Sequence, residues 1–172
     1  METVVVGVNG SACDTAAVDF AVHEARLRGA RLRVVAAWKM PQIIEPEFCY
    51  PSEAFEGLHQ RAQRIVRAAI AGARELEPTV PCEGEIREGQ FGDILVKEAR
   101  DAALLVVGNP RRGWFASFVL GSVSRQAVNQ ALCPVVVVRQ DRNTFNDREG
   151  GRVEVKAASP GRDDLPIREA IA

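Results

Sequence analysis

Hydrophobic and polar positions follow two rhythms along this chain. Thr3 to Val8 is an unbroken apolar run, the pattern of a strand covered on both faces of a parallel sheet. Ser11 or Asp14 is placed to cap a helix after it, and Gly29 supplies the left-handed position where that helix should stop. Leu32 to Trp38 reads as a second strand. A stretch bearing Pro41, Pro46 and Pro51 then leads to Ser52, a good helix-capping residue. From there Phe55, Leu58, Ala62, Ile65, Val66, Ala69, Ala73 and Leu76 recur at spacings of three and four. That spacing predicts a long amphipathic helix, stopped by Pro78. Val80 to Glu88 is a weaker strand, interrupted by Pro81 and Gly84. Residues 91–100 predict a short helix with Asp93 as a possible cap. Ala103 to Val107 predicts a fourth strand, Ser122 to Ala131 a helix, and Pro134 to Arg139 a fifth strand.

Five strands separated by four helices require right-handed crossovers and a parallel sheet with helices on both faces. The chain, at 172 residues, is too short for eight such repeats closing into a barrel. An open, doubly wound α/β sheet of five parallel strands, ordered 3-2-1-4-5, is the economical solution. Its switch point falls between the first and fourth strands, where ligands of such sheets bind at the carboxyl ends.

Charge divides the chain into two parts. Residues 1–139 carry 16 basic and 16 acidic side chains, whereas residues 140–172 carry 6 and 7 with few large apolar residues. This composition predicts an α/β domain over 1–139 and a charged, flexible tail over 140–172. The overall charge of −1 argues against a dedicated nucleic-acid binder, and no apolar run is long enough to span a bilayer. Cys13, Cys49, Cys82 and Cys133 are scattered, with no CxxC pair and only His23 and His59 beside them. They read as unpaired thiols in a cytoplasmic protein with no metal site. Neither histidine falls near the switch point, and no nucleophile stands beside a base, so an enzyme is not expected beyond slow hydrolysis of bound nucleotide.

Two loops meet at the switch point. The first, Val8-Asn9-Gly10-Ser11, joins the first strand to its helix. The second runs from Gly108 through Arg111, Arg112 and Gly113 to Gly121 and Ser122. Gly121-Ser122 opens a helix whose unpaired N–H groups and dipole favour an anion, and the two arginines add positive charge. The same residues could equally serve an ordinary strand-loop-helix connection.

Gly7-Val-Asn-Gly-Ser11, Arg33 to Trp38, Leu105 to Gly108, Arg112 to Phe115, Leu120 to Ser124 and Cys133 to Arg139 resemble a universal stress protein. The likeness covers residues 1–139. It implies a Rossmann-like fold, a cytoplasmic stress-response role and a homodimer. It also implies ATP or another adenine nucleotide between the two loops, with a divalent cation as a possible companion. In the nucleotide-binding branch the phosphates rest on glycine, two residues, glycine, nine residues, glycine, then serine or threonine. Gly108, Gly121 and Ser122 match, and Val123 and Ser124 continue the helix start. Arg111 stands where the second glycine belongs, and Gly113 comes two residues late. Asn9 replaces an acid that faces the adenosine, and the backbone at Ala37 falls at the adenine edge. Arg111 either blocks a phosphate's approach or replaces a backbone contact with a charged one. A nucleotide-free protein acting through dimerisation and partner binding is the alternative these departures suggest. The dimer is expected through the last strand, Val135 to Arg139, an apolar sheet edge that a second copy could cover.

Overall fold

The structure is a computed structural model that describes residues 1–39, 52–109 and 121–139, with backbone alone for residues 52–55. Cys49, the Ser52 side chain, the prolines at 41, 46 and 51, Arg111, Arg112, Gly113 and the tail 140–172 lie outside what is described. Five strands and four helices alternate: β1 Thr3–Gly7, α1 Asp14–Arg28, β2 Arg31–Trp38, α2 Ser52–Leu76, β3 Cys82–Glu88, α3 Phe91–Glu98, β4 Leu104–Asn109, α4 Ser122–Gln130 and β5 Val135–Arg139. The strands form one parallel sheet in the order β3-β2-β1-β4-β5, the order expected of the doubly wound solution.

Valine runs build the central strands because a β-branched side chain fits a pleated surface covered on both sides. Alternation then divides the side chains between two core layers. Val4, Val6, Leu32, Val34 and Val106 pack with α1 and α2, whereas Val5, Val35, Leu105 and Val107 pack with α3 and α4. Each fully buried valine contributes roughly 1.5–3 kcal/mol of transfer free energy. Helix α1 lays Ala17, Val18, Ala21, Val22 and Ala25 on the sheet, at helical spacing. It stops at Gly29, whose φ of 59° is the left-handed conformation expected there.

Two local expectations, both of helix caps, are corrected. The residue preceding α1 is Cys13, not Ser11 or Asp14, and it makes no side-chain cap. Gln90 precedes α3, so Asp93 lies inside the helix, where its carboxylate accepts from Gln126 Nε2 of α4. Glu98 ties α3 to the sheet through Arg87 at 3.1 Å and Arg33 at 3.7 Å. Cys13 and Cys133 are buried, and Cys82 is half-buried. His23 lies exposed beside Glu77, and His59 meets the Trp38 ring edge-on at 5.8 Å. Among the described residues, no helix is long and apolar enough to cross a membrane.

Candidate functional site

The parallel order places the carboxyl ends of β1 and β4 side by side, with Gly7 against Val107. The chain leaves these two strands in opposite directions, toward α1 on one face and α4 on the other, and a crevice opens between the departing loops. A cleft of about 150 Å³ lies there, lined by Asn9, Ser11, Asp14, Phe91, Gly108 and the start of α4 from Gly121 to Ser124.

The α4 side is held by two bonds that reach back to β4. Asn109 is buried, and its Oδ1 accepts the Gly121 N–H at 3.2 Å. The buried Ser124 hydroxyl donates to the Gly108 carbonyl at 3.3 Å. The helical ladder begins with Arg125 N–H to the Gly121 carbonyl, so the N–H groups of Ser122, Val123 and Ser124 precede it. Gly121 is the capping position and offers no side-chain cap. Three backbone donors, the positive end of a nine-residue helix and the exposed Ser122 hydroxyl therefore face the cleft together.

The α1 side is built differently. Gly10 turns the chain with φ of 81°, a conformation costly for any side chain. The Asn9 carboxamide oxygen folds onto the Ser11 N–H at 3.0 Å. Asp14 reaches back from the first turn of α1, and its Oδ2 accepts the N–H groups of Asn9 at 2.8 Å and Gly10 at 2.7 Å. Its Oδ1 accepts the Ser11 hydroxyl at 2.7 Å. The turn is thus closed around a carboxylate belonging to the chain itself.

Of the sequence-derived site residues, Asn9, Gly108, Gly121, Ser122, Val123 and Ser124 converge on this cleft. Val8 does not line it: its side chain is fully buried in the core and its N–H is spent on the Val35 carbonyl. Ala37 stands at the carboxyl end of β2, paired with Arg87 of β3 and outside the cleft lining. Arg111, Arg112 and Gly113 fall in the loop outside the described residues. Reading the sequence missed Asp14 as a cleft residue and Asn109 altogether. Asp14 could have been suspected from its place just after an Asn-Gly-Ser turn, where a short acid commonly bonds backbone N–H groups. Asn109 carries no sequence signal, because its partner lies twelve residues away. A larger hollow of about 280 Å³ lies between α1 and α2 and meets the β1–α1 turn at Gly10, Ser11 and Asp14. No metal-binding cluster of three or more His, Cys, Asp or Glu side chains forms among the described residues.

Known proteins share both the sequence and the architecture. The model of the universal stress protein family matches residues 1–139. A universal stress protein of Mycobacterium tuberculosis is 33% identical over 139 residues, which is 81% of this chain and 48% of that protein. The chain thus spans about half the length of the curated relatives it matches. A solved universal stress protein in complex with cAMP is 29% identical, with a TM-score of 0.64, covering 81% of this chain and 98% of that one. The universal stress protein of Archaeoglobus fulgidus in complex with dAMP is 25% identical, with a TM-score of 0.58 and coverages of 80% and 97%. With its five-stranded order and a family match across the whole α/β unit, the chain belongs to the universal stress protein family.

Proposed function

We propose that this chain is a cytoplasmic stress-response regulator that binds an adenine nucleotide in the cleft between the β1–α1 turn and the start of α4. The observation that carries the reading is the convergence of Gly108, Gly121 and the leading N–H groups of α4 on one cavity at the switch point. The cAMP and dAMP complexes of relatives 29% and 25% identical support the same ligand class. In this reading the phosphate rests on Gly121, Ser122, Val123 and Ser124, with Arg111, Arg112 and Gly113 in the adjoining loop. The nucleoside extends over Asn9 toward the backbone at the ends of β1 and β2, Val8 and Ala37. Binding rather than turnover is the function this reading assigns. The bound state biases a surface read by a partner, and a second copy joined through β5 completes the regulator.

The test is mass spectrometry of small molecules released when the purified chain is denatured. Co-purified AMP, ADP, ATP or cAMP is the expected result. A chain emerging clean from a nucleotide-rich lysate favours the second reading, a nucleotide-free family member acting through partners. That reading has one observation of its own, the inward-turned Asn9 carboxamide.

A further inference from the structure

We infer that Phe91, the first residue of α3, is the platform on which the base of the nucleotide stacks. The inference rests on the nucleotide-binding reading above and assigns the residue that grips the base. Helix α3 begins at a fixed point beside the sheet. Gly89 turns the chain with φ of 140°, and its N–H donates to the Trp38 carbonyl at 2.9 Å, which ties this turn to the carboxyl end of β2. Phe91 then opens the helix. Gly7 of β1 presents no side chain to α3, and a carbon added there would lie 2.6 Å from Leu95 Cδ1 and 3.1 Å from Phe91 Cζ. The Phe91 ring therefore reaches over the carboxyl end of β1, into space that a side chain at position 7 would take. Leu95 is fully buried, whereas Phe91 is half-buried and borders the cleft.

Among the described lining residues Phe91 is the only aromatic side chain. The β1–α1 turn offers a base no free backbone donor, because the N–H groups of Asn9 and Gly10 are bonded to Asp14 and that of Ser11 to Asn9 Oδ1. A phosphate at the start of α4 leaves the nucleoside to run toward the ends of β1 and β2, and that path passes Phe91. Aromatic side chains hold bases by stacking, since every base has a π face. A ring already packed against the α3–α4 core layer loses little freedom when the ligand arrives. Contact of this kind requires the base and is indifferent to the phosphate.

Calorimetric titration of AMP and of ribose 5-phosphate into the full chain and into Phe91→Leu tests the inference. Leucine keeps an apolar side chain over Gly7 and removes the π face. AMP is expected to bind Phe91→Leu about tenfold or more weakly than the wild type, whereas ribose 5-phosphate, which has no base, should bind both alike. A residue that only held α3 in place would weaken the two ligands together. A second measurement uses the wild type alone, and decides the matter if Phe91→Leu folds poorly or ribose 5-phosphate binds too weakly to titrate. In the AMP complex the purine ring protons should show nuclear Overhauser contacts to the Phe91 ring. Unchanged AMP affinity in the variant, an equal loss for both ligands, or no such contacts would overturn the inference and leave the nucleotide reading standing. Absence of AMP binding to the wild type would overturn both readings together.

Discussion

Gly108 and Gly121 serve the same loop for different reasons. A Cβ added at Gly108 would lie 2.9 Å from the Cβ of Cys13 and 3.4 Å from its carbonyl oxygen, where the backbone enters α1. At Gly121 the nearest atom would be Asn109 Oδ1 at 3.5 Å, an ordinary contact, and its φ of −58° suits any residue. Gly108→Ala is therefore expected to cost about 1–3 kcal/mol by overpacking β4 against α1. Urea unfolding of the variant measures this, and an unchanged midpoint would contradict it. In the sequence both glycines stand at phosphate-site spacing, and nothing in that spacing shows that one of them is demanded by packing. Asp14 was obscured in the same way. Its position suggests a helix cap, yet its carboxylate turns back onto Asn9 and Gly10, a direction set by the Gly10 turn rather than by the helix.

The elements were legible in proportion to their hydrophobic periodicity. Helix α2 runs from Ser52 to Leu76, where the three-and-four spacing places it, and β1 is the buried strand that its valine run predicts. Strand β3 was fainter because one of its faces is charged: Glu83 pairs with Arg33 at 2.7 Å, and Arg87 pairs with Glu85 and Glu98. Its Gly84 lies where a side chain would strike Val66 of α2. Between α1 and α2, Asp19 has no hydrogen bond or ion pair among the described residues, and burial pushes its carboxyl above the ordinary value. The folded state therefore favours the protonated acid. That contribution is fully present below the ordinary carboxylate value and is lost as pH rises through the raised one. Asp19→Asn should match wild-type Tm at about pH 3 and exceed it at about pH 7. The margin should be small, because the side chain is only partly shielded from solvent. An equal offset at both pH values would show that charge is not the cause.

At the scale of the molecule, the alternation of elements called for an open parallel sheet with right-handed crossovers, whereas the strand order, met as expected, does not follow from that pattern alone. The side chains of Val135 to Val138 in β5 are buried by the two core layers. The partner expected at this strand is one that satisfies the backbone groups on its open side, since among the described strands β5 pairs only with β4. Sedimentation at micromolar concentration is expected to give a dimer, and a monomer would exclude pairing through β5 as a stable state. The central claim, that the crevice between β1 and β4 holds an adenine nucleotide on the start of α4, is tested most directly by calorimetric titration of AMP into the intact chain and into Gly121→Val. The space at Gly121 admits a first side-chain carbon without strain, but a branched side chain stands where the phosphate must approach. The account predicts saturable binding to the wild type and at least about a tenfold loss in a variant that unfolds at the wild-type temperature. Equal AMP affinity for the two proteins would contradict it.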